Sequence, residues 1–299
     1  MSKYRLGLIY GFSSYTLWGL FPLYWPLLKP ATPLEMVSHR AVWSLVFCII
    51  ALAIGRQLKS TFAMMLLPGV LWNFILAAAF ISVNWITYIW AVNHEQIVEA
   101  SLGYYMQPIL LVLMGILAFG EAMRKIQWIS FIVATVGVII LTIDYGRPPW
   151  ISFALAFSWS SYSFVKKKIN LGSLQGLAIE TLISSLFYGS YLIWIGQKGE
   201  GQFGHGVGLT ALLIGAGLVT AIPLLLFNGA TLRIPFTTIG LLQYLTPTIQ
   251  FMLAVFLRHE PMPSARWLGF VFIWTALIVL GYDLIKSGSP RDNSLAQPD

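Results

Sequence analysis

The sequence predicts an all-α polytopic membrane protein with ten transmembrane helices arranged as two inverted five-helix repeats. Three observations carry this expectation. Of the 299 residues, 58% are apolar and only 10% are charged, and the mean hydropathy is +0.76, whereas soluble domains are about a quarter charged. Ten apolar runs, each near the roughly 20 residues that a spanning helix needs, are separated by clusters of charge, Pro and Gly. A pattern in the first half of the chain also returns in the second.

Composition excludes several function classes. A single cysteine, Cys48, leaves no disulfide framework and no cysteine-based zinc site. Four His in the whole chain argue against a histidine metal centre, so neither metal nor cofactor is expected. The net charge is +7 and the pI about 9.5, but the basic residues are scattered between apolar runs rather than gathered on one face. They read as loop charges rather than as a nucleic-acid surface, and the expected surroundings are a lipid bilayer. Neither His94-Glu95 nor His259-Glu260 completes H-E-x-x-H, because Val98 and Pro263 stand where the second His would be. There is no G-x-S-x-G elbow and no P-loop, so an enzyme is not expected and ATP cannot power this chain.

Taken in order, the runs lie near residues 6–28, 34–54, 67–92, 97–119, 126–144, 149–165, 173–196, 207–231, 235–257 and 265–285. The first follows Lys3 and Arg5, as a signal peptide would, but it is too long for an h-region and lacks a cleavage site, so it reads as helix one. Residues 287–299 (SGSPRDNSLAQPD) are polar and expected to be a disordered cytoplasmic tail. With the N-terminus inside, the inner segments hold twelve basic residues: Lys3, Arg5, Arg56, Lys59, Arg124, Lys125, Lys166, Lys167, Lys168, Arg233, Lys286 and Arg291. The outer segments hold five: Lys29, Arg147, Lys198, Arg258 and Arg266. That bias places both ends inside and requires an even number of spans.

Displacing the chain by 139 positions lays Leu102–Phe131 over Leu241–Phe270. Tyr105/Tyr244, Pro108/Pro247, Glu121/Glu260, Met123/Met262, Trp128/Trp267 and Asp144/Asp283 then coincide. Apolar coincidences are common among helices, but Pro, Glu, Trp and Asp in one register point to duplication. The halves are residues 1–145 and 146–286, each with five spans. An odd number of spans inverts the second copy, an arrangement that puts a transporter's site near the midplane between repeats.

The residues also carry a family resemblance. Trp18-Gly19, Ser38-His39-Arg40, Val42-Trp43-Ser44, Asn84-Trp85, Ile89-Trp90-Ala91-Val92-Asn93, Glu99-Ala100-Ser101-Leu102-Gly103-Tyr104, Gly120-Glu121, Lys167-Lys168-Ile169, Ile179-Glu180-Thr181 and Gln243-Tyr244 together resemble the EamA drug/metabolite transporter family, and its RarD subfamily. The resemblance covers essentially the whole chain. It implies ten spans, cytoplasmic termini and a permease of the bacterial inner membrane.

Candidate site residues follow from cost and depth. Ionisable groups inside spans are expensive and are functional candidates by default. Arg40 and Glu180 each lie about 10 Å into a helix at 1.5 Å per residue, Arg40 from the outer face and Glu180 from the inner. They read as charges on a substrate pathway or as a gate pair, with His39 as a neighbour that could share the work. Arg40 would favour an anionic or zwitterionic group, while Glu180 would favour a cation or carry a coupling proton. Pro108 and Pro247 fall about 17 Å into their helices and withhold the bonds to the Tyr104 and Gln243 carbonyls. Tyr104, Tyr105, Gln107, Gln243 and Tyr244 beside these kinks are the expected lining of a midplane cavity. Asn84, Trp85 and Tyr88 are a candidate aromatic wall. Trp25, Trp43, Trp72, Trp128, Trp150 and Trp267, near span ends, read as interfacial belt. Glu121 and Glu260 read as carboxylates fixing a turn or the next helix start. The function expected is a secondary transporter of a small organic solute by alternating access, with a passive channel or a membrane scaffold as alternatives.

Overall fold

The computed structural model of the chain describes residues 2–94, 96–145, 148–169, 171–257 and 264–286. Regular structure among these is entirely helical. The 287–299 tail, Arg258, His259 and Glu260 lie outside the described residues.

Helix α1 (Lys3–Gly19) starts where the Ser2 hydroxyl accepts the Arg5 N–H, a side-chain N-cap. The first apolar run does not continue as one helix. Pro22 has no N–H to give the Trp18 carbonyl, and after Leu20 the chain turns into short α2 (Phe21–Tyr24) and a 3-10 turn, Trp25–Leu28. The Trp18 carbonyl accepts from Gln250 Nε2 instead, at 3.3 Å. Helix α3 (Pro33–Ile54) is capped by Thr32 Oγ1, which accepts the Glu35 N–H. Short α4 (Leu58–Met65) leads to α5 (Val70–Asn93) and α6 (Ile97–Phe119). Helix α6 ends at Gly120 with φ of 62°, the left-handed stop that glycine takes most easily. Then come α7 (Lys125–Tyr145), α8 (Trp150–Ile169), α9 (Ser173–Gln197) and α10 (Val207–Thr231). The ninth run is divided into α11 (Phe236–Gln243), α12 (Leu245–Met252) and a π-helical turn, Leu253–Leu257, before α13 (Ser264–Lys286). The two matched prolines thus act differently: Pro108 sits inside continuous α6, while Pro247 follows the break at Tyr244.

Among the described residues, seven helical stretches are long and apolar enough to cross a membrane, in α3, α5, α6, α7, α9, α10 and the α11–α12 run. The burial pattern is that of a protein in lipid. Leu117, Ile143, Leu186 and Ile278 are exposed, whereas Ser158, Ser160, Ser161 and Ser163 of α8 are buried. Small and hydroxylated residues inside let helices approach and satisfy each other's backbone. Gly217 shows how close: a Cβ there would stand 2.4 Å from Trp43 Cβ, so α10 crosses α3 where only a hydrogen fits.

Helix contacts fall into matched pairs. Helix α5 packs on α8 as α10 packs on α1, α6 on α8 as α12 on α1, and α3 on α10 as α9 on α5. The α3–α9, α6–α11 and α7–α13 contacts join helices of residues 1–145 to helices of residues 146–286. Gly199, Gly201 and Gly204 spell G-x-G-x-x-G in the α9–α10 loop. That loop follows a helix rather than the strand the dinucleotide fingerprint requires.

Candidate functional site

A cavity of about 380 Å³ opens between the halves, within the usual size of small-molecule sites. Tyr15 and Trp18 of α1, the Phe21–Pro26 turn, Arg40 of α3, Asn84, Trp85 and Tyr88 of α5, and Tyr104 and Gln107 of α6 line it from the first half. Trp159 of α8, Gln243 of α11 and Thr246, Pro247 and Gln250 of α12 line it from the second.

Arg40 is the one formally charged side chain among the described lining residues. Its Nε donates to Thr220 Oγ1 at 3.0 Å. The guanidinium carbon lies 4.8 Å from the Trp25 ring centroid and 4.7 Å from that of Trp85. An indole face so placed stabilises a partly buried cation by about 0.5–2 kcal/mol. No carboxylate among the described residues pairs with it.

The cavity floor is an amide and indole network. Trp159 Nε1 donates to Gln243 Oε1 at 3.1 Å, and Gln243 Nε2 donates to Gln107 Oε1, which ties α8, α11 and α6 together. Asn84 Nδ2 donates to the Leu155 carbonyl at 2.9 Å and to Ser158 Oγ at 3.0 Å. Trp18 meets Trp159 edge to face at 5.3 Å. Under the 139-residue displacement, Tyr104 falls on Gln243 and Gln107 on Thr246, and all four line the cavity.

On the basic side, two ion pairs bridge the halves. Arg124 after α6 pairs with Asp283 of α13, and Lys167 of α8 reaches Glu121 at 3.1 Å. Glu121 also accepts the Phe236 and Thr237 N–H groups at 2.7 and 2.8 Å. The start it caps is therefore α11, in the other half, rather than the next helix in sequence.

The pattern of the EamA-like transporter family matches this chain twice, over residues 5–143 and 149–282. The chain belongs to the EamA-like transporter family. It is 47% identical to Protein RarD of Streptomyces exfoliatus over 287 residues, 96% of this chain and 91% of that one. Against Protein RarD of Escherichia coli K12 it is 34% identical, covering 94% and 95% of the two chains. A Pseudomonas aeruginosa relative named Chloramphenicol-sensitive protein RarD is 28% identical, covering 93% and 94%. One solved crystal structure superposes with a TM-score of 0.73 at 18% identity, covering 94% of this chain and 99% of that one, which shows a shared fold. Family and relatives make this a multi-pass bacterial membrane transporter of the RarD subfamily.

In this EamA-like chain, Arg40, Asn84, Trp85, Tyr88, Tyr104, Gln107, Gln243 and Pro247 come together at the cavity. Other sequence candidates lie elsewhere. Tyr105 turns toward α13 and meets Phe270 at 5.3 Å. Tyr244 is 1% exposed in a cluster with Leu102, Val138 and Ile273. One residue along a helix is about 100° of rotation, so the neighbour of a lining residue turns out of the cavity into the packing beside it. Pro108 offers its carbonyl to close packing against Gly240.

Glu180 is not the partner of Arg40. It binds Lys166 Nζ at 2.7 Å and accepts from Tyr162 Oη at 3.0 Å, buried between α8 and α9. His39 points away from the cavity, accepting from Trp43 Nε1 at 3.3 Å and stacking on Phe203 at 5.1 Å. Trp25 is no simple belt residue, since it covers Arg40; the Pro22 and Pro26 flanking it were the signal that the helix breaks there. Trp159 and Gln250 went unnoticed because no charge or repeat marks them in the sequence; Trp18 was noted only for the family resemblance, and Thr246, which the displacement lays on Gln107, was not drawn into the site.

Proposed function

We propose that the chain is a secondary transporter of a small organic solute, with ten spans in two inverted five-helix halves that alternate access around this cavity. The observation that carries the reading is a cavity lined from both halves at the level of Pro247, together with half-bridging ion pairs on the opposite, basic side. Supporting it are the doubled family match and a contact set that survives exchange of the halves. With cytoplasmic termini in a bacterial inner membrane, the cavity faces outward and Arg124–Asp283 and Lys167–Glu121 close the inner side. Opening inward requires breaking these pairs and the Glu121 cap on α11. Glu180, already engaged by Lys166 and Tyr162, fastens α8 to α9 in this reading rather than carrying a coupling proton. A passive pore is disfavoured because the ion pairs and the Glu121 cap tie the halves together on the side away from the cavity.

The test has two steps. Metabolite comparison between cells lacking and overproducing the protein identifies the solute, and proteoliposomes then measure its exchange. Saturable uptake accelerated by the same solute on the far side is expected. Flux that rises linearly without such counterflow would overturn the carrier reading.

A further inference from the structure

We infer that the cavity selects a small organic monoanion with a planar oxyanion, a carboxylate above all, and discriminates against its zwitterionic and neutral counterparts. The inference rests on reading the cavity as the solute site and deepens it to a substrate class.

The geometry of Arg40 restricts how a ligand can approach. Trp25 and Trp85 hold the guanidinium carbon over their rings, 4.8 and 4.7 Å from the centroids, which fixes where the head group sits in the cavity. Nε is spent on Thr220 Oγ1 at 3.0 Å. What remains is the Nη edge, whose two parallel N–H groups match the two oxygens of a carboxylate lying in the guanidinium plane. A ligand that neutralises this edge pairs a half-buried cation that no protein carboxylate among the described residues pairs with.

The same lining argues against a ligand ammonium. No acidic side chain is among the described residues of the cavity. The amide oxygens of the lining are uncharged, and two of them already accept a hydrogen bond: Gln107 Oε1 from Gln243 and Gln243 Oε1 from Trp159. A ligand ammonium would give up its hydration with no carboxylate to pair with and with the Arg40 cation in the same cavity, a cost that the aromatic faces of the wall offset only in part. The remaining wall, Trp18, Tyr88, Tyr104 and Trp159, suits a compact apolar or ring-bearing body.

The test uses the purified full-length protein in lipid nanodiscs and radiolabelled 4-methylbenzoate. Unlabelled 4-methylbenzoate should displace it, while 4-methylbenzamide and 4-(aminomethyl)benzoate should compete at least about tenfold less well, the scale of one charge-assisted contact. Arg40→Lys keeps the charge but loses the fork and the stacking, and should weaken binding about tenfold or more with the elution profile of the native protein. The ligand series on the native protein keeps the inference open to refutation even if Arg40 variants misfold. Equal competition by the amide or the zwitterion, or no saturable binding of any probe, overturns it. Selective binding of the acid without counterflow in proteoliposomes would instead refute the transporter reading while leaving the anion preference standing.

Discussion

Replacing Glu180 by Gln should reduce stability rather than merely silence transport. Lys166 and Glu180 are both about 95% shielded, and their charged atoms stand 2.7 Å apart. At an effective dielectric near 20 the attraction is roughly 6 kcal/mol, offset by the cost of burying both ions. Removing one partner leaves the other buried and uncompensated, which costs about 3–5 kcal/mol. Glutamine retains an oxygen for the Lys166 ammonium and for Tyr162 Oη, so Glu180→Gln belongs at the low end and Glu180→Leu at the high end. After either change the ammonium keeps the Phe74 ring, 5.0 Å away. The double variant Lys166→Met/Glu180→Leu should recover most of the loss, because a buried pair and an apolar replacement differ little. Reversible unfolding in mixed detergent micelles, followed by tryptophan emission, measures these differences. A Glu180→Gln protein with the native midpoint but no transport would refute the structural assignment and return Glu180 to the transport cycle.

In a Cys48→Ala background, cysteines at Tyr104 and Gln243 should react with small hydrophilic thiol reagents, while cysteines at Tyr105 and Tyr244 should not; the reverse pattern, read by mass shift, would refute the cavity geometry. Gly217→Ala places a Cβ 2.4 Å from Trp43 Cβ and should cost about 1–3 kcal/mol by overpacking, so an unchanged unfolding midpoint would contradict the α3–α10 crossing. Glu121→Gln weakens the cap on α11 and the pair with Lys167; a loss of about 1–2 kcal/mol is expected, and none would show that the cap carries no stability. Reporter fusions should report inside at Lys59, Lys125 and Lys168 and outside at Lys198, and a tail beyond Lys286 found outside would break the ten-span arrangement.

The sequence alone determined the helical, membrane-embedded class and the depth of the chemistry along each helix. Apolar length records transfer free energy summed along a segment, and a matched Pro or Tyr marks a height in the bilayer. Both quantities are read along the chain, and both survive without knowledge of neighbours. That was enough to pick out Arg40, Tyr104, Gln107 and Gln243 as residues at the level of a cavity. Tertiary structure decided which way each side chain turns. In a soluble helix the apolar stripe marks the inward face, but lipid is as apolar as a protein core, so that signal is absent here. Tyr105 and Tyr244 therefore looked equivalent to Tyr104 and Gln243 and lie a third of a turn away, packed toward α13 and its neighbours. The partners of buried charges were likewise decided only in three dimensions. Glu180 meets Lys166, Glu121 caps a helix 115 residues further on, and Trp25 covers Arg40, because each contact depends on which helices cross, and no local pattern encodes that.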